Sequence, residues 1–185
     1  MKKTLCIALA AALLLAFAAC GAPAARDTLT GAPEEIIAQL KESPGAELGM
    51  TLDSEVTAEN AQNALGLTEA QFTEYVESAY EAMAAINAIA QSNVLVKCKD
   101  IKNAAEVKRL IADGFNSQKW ICVFPEKCAV VESGSYILLT VGAAETVDAL
   151  VEAFKDLSGG NIGTPNVFYE SDGGDIGGGG DLVLF

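Results

Sequence analysis

Apolar and polar positions alternate along the chain with changing period, and each period predicts an element. After Pro33, "EEIIAQLKES" carries acids in its first turn and a short apolar stripe, as a short helix with proline at its first position would. "ELGMTLDSEV" is short and mixed. "TAENAQNAL" predicts a second short helix, ended by Gly66. Between Leu67 and Ala90 two readings compete. Thr68 and Gln71 make a capping-box pattern. Phe72, Val76, Ala79, Tyr80 and Met83 keep helical spacing, and the Ala-rich "EAMAAINAIA" favours helix by propensity. A strand could also occupy "EYVESAYEAM".

From Asn93 the pattern is cleaner. "VLVKCK" alternates as a strand, with Val94, Val96 and Cys98 on one face. Asn103 is placed to cap "AAEVKRLIADGF", whose Val107, Leu110, Ile111 and Phe115 form one apolar stripe. "CAVVESGSYILLTV" predicts a β-hairpin turning at Glu132–Ser133–Gly134–Ser135. In "AETVDALVEAFKDLSGG" the residues Val147, Leu150, Val151, Phe154 and Leu157 share one helix face, and Gly159 is placed to end it. The order strand, helix, strand, strand, helix suggests a split β-α-β unit. The expected fold class is therefore α+β: a two-layer sandwich of a small, mainly antiparallel sheet with helices packed on one face.

The first residues have a different logic. Lys2 and Lys3 precede an unbroken apolar run from Leu5 to Phe17, closed by the small residues Ala18, Ala19, Cys20 and Gly21. The run is shorter than the roughly 20 residues that span a bilayer, and its pattern is that of a secretory signal peptide. "FAAC" resembles the lipobox of bacterial lipoproteins, with Phe17 where leucine is usual. That resemblance implies diacylglyceryl attachment at Cys20, the lipid attachment residue, and a chain held by membrane lipid at the extracytoplasmic face of the cell membrane. The expected organisation is a signal peptide over 1–19, a lipid anchor and flexible tether over 20–33, one α+β domain over 34–157, and a Gly-rich, acidic, flexible tail over 158–185. Extended, residues 21–33 would span roughly 40 Å at about 3.3 Å each. In the tail, Val167–Tyr169 and Leu182–Phe185 are the stretches able to dock.

Charge narrows the partners. Of 12 basic residues two are Lys2 and Lys3, so from Cys20 onward 10 face 25 acidic ones, a net charge of −15. Such a chain lacks the cations that displace phosphate counterions, which argues against nucleic acid, and against a polybasic contact with anionic lipid. The basic residues are concentrated at Lys97, Lys99, Lys102, Lys108, Arg109, Lys119 and Lys127, while Glu34–Glu81 is nearly all acidic apart from Lys41. The two halves are expected to be solvated faces; the alternatives are that they face each other or that the basic segment meets an anionic partner.

The chain has no histidine. That removes Ser-His-Asp and Cys-His activation and the commonest metal ligand. No GxSxG, Walker A or GxGxxG motif occurs after residue 20. Carboxylate-pair hydrolysis is formally open. Besides Cys20, the cysteines from there on are Cys98, Cys122 and Cys128. An oxidising compartment permits disulfides, and three thiols leave at least one unpaired. Cys122 and Cys128 are the candidate disulfide, spaced to bridge a turn through Pro125. Cys98 with Cys128, or three core thiols, are the alternatives. Asp172, Asp175 and Asp181 among glycines match calcium-binding repeats only loosely. No metal site and no cofactor is expected.

The order of features over residues 65–157 resembles an uncharacterised family of Firmicute lipoproteins, domain of unknown function 4358. The likeness is carried by "LGLTEAQFTEYV", "SNVLVKCKD" with the "VKRLI" helix, "FPEKCAVVESGSYILLTV" and "VDALVEAFKDL". It implies a small, lipid-anchored, extracytoplasmic protein, and an extended stretch after a short helix at 68–74. It implies no activity. The expected function is a non-catalytic interaction or structural module at the cell envelope, with an envelope protein as partner. A small-ligand binding accessory to a transporter and a histidine-independent enzyme are the alternatives.

Overall fold

The computed structural model describes residues 27–86 and 89–171. Its frame is a six-stranded sheet in the order β1-β2-β3-β5-β4-β6, every neighbouring pair antiparallel. The strands are β1 (Thr51–Glu55), β2 (Val76–Ala84), β3 (Ser92–Cys98), β4 (Lys127–Ser133), β5 (Tyr136–Gly142) and β6 (Asn166–Glu170). The helices are α1 (Pro33–Lys41), α2 (Ala61–Leu65), α3 (Glu69–Tyr75), α4 (Ala104–Gly114) and α5 (Ala144–Leu157). Strand β5 lies between β3 and β4, which α4 connects, so the split β-α-β unit is present.

The α+β class and the antiparallel sheet are those expected, but the helical cover extends to both faces. On one side Val94, Val96, Cys128, Val130, Ile137 and Leu139 pack with Val107 and Ile111 of α4, Leu65 of α2 and Phe72 of α3. On the other, Leu95, Val131 and Leu138 pack with Ile36, Ile37 and Leu40 of α1 and Val147, Leu150 and Phe154 of α5. The reason is visible in "CAVV" and "YILLTV". These runs are apolar at consecutive positions rather than alternate ones, so each strand presents apolar side chains to both faces and needs cover on both.

The competition over Leu67–Ala90 resolves by position. The Thr68 capping box forms: the Gln71 amide donates to Thr68 Oγ1 at 3.3 Å and the Thr68 amide donates to Gln71 Oε1 at 2.8 Å. Helix α3 then stops at Tyr75, and Val76 is already extended at φ −95° and ψ 129°. The helical spacing of Val76, Ala79, Tyr80 and Met83 is overridden because β2 pairs with β1 on one side and β3 on the other. Asn103 makes no side-chain cap. Asp100 takes that role one turn earlier, accepting from the Lys102 amide at 2.9 Å into a 3₁₀ turn over Ile101–Asn103.

Two boundaries shift. Residues 27–33, expected as tether, lie on the domain: Leu29 is buried against the α1 side of the core, and the Ser135 amide donates to Asp27 Oδ1 at 2.6 Å. Residues 158–171, expected as tail, continue the fold: β6 pairs with β4, and Phe168 sets its ring edge against Phe115 at 6.0 Å between centroids. Cys20, the segment 1–19 expected as a signal peptide, and 172–185 lie outside the described residues.

Candidate functional site

Strand register brings five chain segments to one end of the sheet. Thr51 pairs with Ala84, Ser92 with Met83 and Val141, and Lys127 with Gly142 and Glu170. Hydrogen bonds tie the segments across this end. The Ala85 amide donates to Met50 O at 2.9 Å, Gln91 Nε2 to Leu48 O at 3.2 Å, the Glu126 amide to Gly142 O at 2.9 Å, and the Ser171 amide to Glu126 O at 2.8 Å. The same end gathers the exposed large apolar side chains. Ile121 is 88% exposed, and Met50, Leu52, Ile86, Ile89 and Phe124 are all exposed. Among the described residues only Val167 on β6 joins them from elsewhere. Single exposed apolar residues are ordinary. Six of the seven lie toward one end of the sheet, from β1 to the loop before β4.

The loop that carries Ile121 and Phe124 is held from beneath. Helices α2 and α4 end against one another. Gly66 sits at φ 75°, and a β-carbon there would lie 2.2 Å from Gly114 C, so a left-handed, side-chain-free residue is required. The chain then turns at Asn116, whose Oδ1 accepts from the Gln118 amide at 2.9 Å. This turn sends the Lys119 side chain inward until it is only 8% exposed. Lys119 Nζ donates to Asn63 O at 3.0 Å, stands 3.8 Å from Glu81 Oε1, and lies 4.9 Å and 4.8 Å from the ring centroids of Phe115 and Trp120. Glu81 Oε1 also accepts from Ser92 Oγ at 2.6 Å. Beyond this anchor Ile121, Cys122 and Phe124 face solvent, Cys122 at φ 66°.

Burial dominates the electrostatics here. Removal from water pulls the Lys119 ammonium below its ordinary range, against the opposing pull of Glu81. The same desolvation pushes the Cys128 thiol up to about 12, against Lys119. Cys98, at the other end of the sheet, is likewise pushed up to about 12 by burial and then by Asp27. Both are therefore thiols, not thiolate nucleophiles, at neutral pH. The arrangement ties the loop that carries Ile121 and Phe124 to α2 and β2 through one buried cation.

The candidate disulfide is not formed. Cys122 is exposed on the loop, Cys128 is buried on β4, and they are free together with Cys98. Alternation along β4 turns Cys128 into the core, away from the loop tip. No metal-holding group of acidic or cysteine side chains occurs among the described residues, and Asp172, Asp175 and Asp181 lie outside them. Five of the seven clustered basic residues are engaged by acids: Lys97 with Glu77, Lys108 with Glu132, Arg109 with Glu106 and Asp113, Lys119 with Glu81, and Lys127 with Asp148 and Glu170; Lys99 donates to the Thr73 carbonyl. Lys97 and Lys119 draw their partners from the acidic half. A depression of about 590 Å³ on α3 is lined by that helix and its cap alone, Thr68, Glu69, Ala70, Thr73 and Glu74.

Sequence reasoning missed Glu81, Lys119 and Trp120 as a unit. The strand reading of β2 carries the signal, since alternation then puts Glu81 on the inward face with Ala79 and demands a buried partner for its charge. Compared with protein-family models, curated proteins and solved structures, the chain matches none.

Proposed function

We propose that this chain is a lipid-anchored, extracytoplasmic module that binds an envelope protein through the apolar end of its sheet. The observation that carries the reading is the six exposed apolar side chains at that end, two of which, Ile121 and Phe124, sit on a loop anchored through the buried Lys119. The anchor is argued from "FAAC" and Cys20, and kinship with the Firmicute lipoprotein family belongs to the same proposal.

Orientation favours a protein over the bilayer as the occupant. Asp27 and Gly31 are tied to the β4–β5 hairpin, where Tyr136 Oη donates to Gly31 O at 2.8 Å. That hairpin is at the opposite end of the sheet from the apolar loops. Residues 21–26 span at most about 20 Å, so an acylated Cys20 keeps the hairpin end near the membrane. Seven-residue strands, about 23 Å long at 3.3 Å per residue, then carry the apolar end outward.

Two measurements test the reading. Cys20→Ala is expected to abolish lipid labelling, and normal labelling would refute the anchor. A photo-crosslinking residue at position 121 is expected to join a specific envelope protein, whereas one at exposed Thr73 is not. Equal capture at both positions removes the apolar end as the binding surface.

A further inference from the structure

On one side the sheet ends at β1, and the strand register shows which backbone groups that edge leaves open. The Val56 amide donates to Ala79 O and the Ala85 amide to Met50 O, each at 2.9 Å. Both bonds continue the register that pairs Leu52 with Met83 and Ser54 with Glu81. Bonding positions alternate along an antiparallel pair, so the even-numbered residues of β1 bond to β2. The amides and carbonyls of Thr51, Asp53 and Glu55 therefore point away from the sheet. Among the described residues no further strand pairs with them.

The two sides of this edge differ in chemistry. Lys41 of α1 donates to Thr51 Oγ1 and to Asp53 Oδ2, both at 2.7 Å. The odd positions thus lie on the α1 side, and alternation puts Leu52 on the other. On the odd side negative charge is in excess. Lys41 answers Asp53, Glu55 is exposed, and no basic residue follows until Lys97. The segment from Glu47 to Glu59 carries four acids and no base. On the even side Leu52 is 59% exposed, with exposed Met50 where the chain enters the strand.

We propose that β1 accepts an extended, cationic segment of a partner protein as a further antiparallel strand, whose alternate basic side chains face Asp53 and Glu55 while the apolar ones between them cover Leu52. A segment added to an open edge takes affinity from main-chain bonds and specificity from alternate side chains. Antiparallel is the sense of every pair already in the sheet. Charge selects the occupant. A second copy of β1, paired about the centre of the strand, would set Asp53 opposite Asp53, and like charges directly opposite are destabilising. The same acids that deter self-pairing attract a cationic strand. The proposal deepens the preceding reading, on which it rests for a protein as the occupant. Met50 and Leu52 belong to the apolar end, and β1 carries the contact from there along the edge.

The probe is a short peptide alternating lysine and valine, added to the full, processed chain and read by amide hydrogen exchange. Directly opposite residues of an antiparallel pair share a face, and those at bonding positions exchange both bonds. Lysines opposite Thr51, Asp53 and Glu55 therefore bond through their own backbone amides, and the valines turn theirs away. Exchange at the amides of Thr51, Asp53 and Glu55 is expected to slow about tenfold at near-full occupancy. Methylating the backbone nitrogens of the lysines is expected to abolish binding, and methylating those of the valines to leave it within about twofold. Glu55→Lys, at an exposed position outside the core, is expected to lower affinity about tenfold, an attraction lost and a repulsion gained. A peptide that does not bind, protection that spares those three amides, indifference to methylated lysines, or equal binding of a glutamate–valine peptide overturns the proposal. None of these readouts involves position 121. If the peptide fails while a crosslinker at 121 captures its partner, the added strand falls and the apolar binding surface stands. If the peptide binds while 121 captures nothing, the loop surface falls and the open edge stands.

Discussion

Lys119 should behave as a pin whose removal alone is costly and whose removal together with its counter-charge is not. The Lys119→Met change keeps most of the aliphatic stem. It takes away one hydrogen bond to Asn63 O, the 3.8 Å approach to Glu81, and two ring contacts. What remains is the Glu81 carboxylate, 9% exposed, with Ser92 Oγ as its remaining donor. Stripping one member from a buried pair costs about 3–5 kcal/mol. The retained serine bond and the long 3.8 Å separation place this case lower, at about 2–4 kcal/mol. The direction of the Lys119 shift adds a second constraint. For the Lys119 ammonium, burial outweighs the attraction of Glu81, so desolvation offsets what the cation gains from its partner. Glu81→Gln keeps the bond to Ser92, and Lys119→Met/Glu81→Gln should return to within about 1 kcal/mol of wild type. Urea denaturation monitored through Trp120, the chain's single tryptophan, measures all four proteins on a probe at the site. If the double variant loses the sum of the single losses, the two charges do not sense each other and the pin is wrong.

Three further outcomes rest on the same geometry. Because the folded pKa of Lys119 lies below its ordinary value of 10.5, the unfolded chain binds more protons between those two pH values. The stability of wild type relative to Lys119→Met should rise with pH across that window and be flat below it; a falling difference would reverse the sign. A thiol reagent should titrate exposed Cys122 quickly, and Cys98 and Cys128 only on unfolding, without prior reduction. Fewer than three thiols in the unfolded, unreduced domain would restore a bridge. Gly66→Ala and Gly114→Ala should each destabilise by more than about 2 kcal/mol. An added β-carbon meets the facing backbone at 2.2 Å or 2.4 Å, and at Gly66 the left-handed φ costs roughly 1–2 kcal/mol more. A neutral or stabilising Gly114→Ala, the result helix propensity alone gives, would show that the two helix ends do not meet.

Much of the fold is legible because it is written in local period. The Thr68 box, the α4 and α5 stripes, the Gly134 turn and the split β-α-β order all depend on residues a few positions apart. Local period fails where tertiary pairing decides. Val76–Ala84 has a helix-like spacing and an Ala-rich continuation, yet strands on both sides of it supply more hydrogen bonds than an isolated helical turn retains. One-sided helical cover comes from treating Leu95, Ala129, Val131 and Leu138 as incidental to the alternating set, when they form a second apolar face. Leu29 and Phe168 read as tether and tail because their surroundings are Gly-, Pro- and Ala-rich, and composition carries no sign that a partner surface awaits them.

The candidate site is least legible for a related reason. Met50, Ile86, Ile121 and Phe124 are ordinary one at a time, and only strand order brings them to one end. Lys119 shows how such a surface is sustained. An exposed apolar loop gains little by staying exposed, and left alone it would collapse onto the core. A buried ammonium between two rings prevents this, since the loop cannot sink without displacing a cation whose partners, Asn63 and Glu81, belong to α2 and β2. Such an arrangement sacrifices stability to fix position, which is the use best attested for buried charge pairs. Position matters for a surface that must be met in one geometry. The prediction that the double variant regains stability therefore has a counterpart: it should regain the fold while losing the presentation of Ile121 and Phe124. Crosslinking from position 121 in that variant should fall even though its denaturation midpoint does not, and equal capture would mean that the loop holds itself.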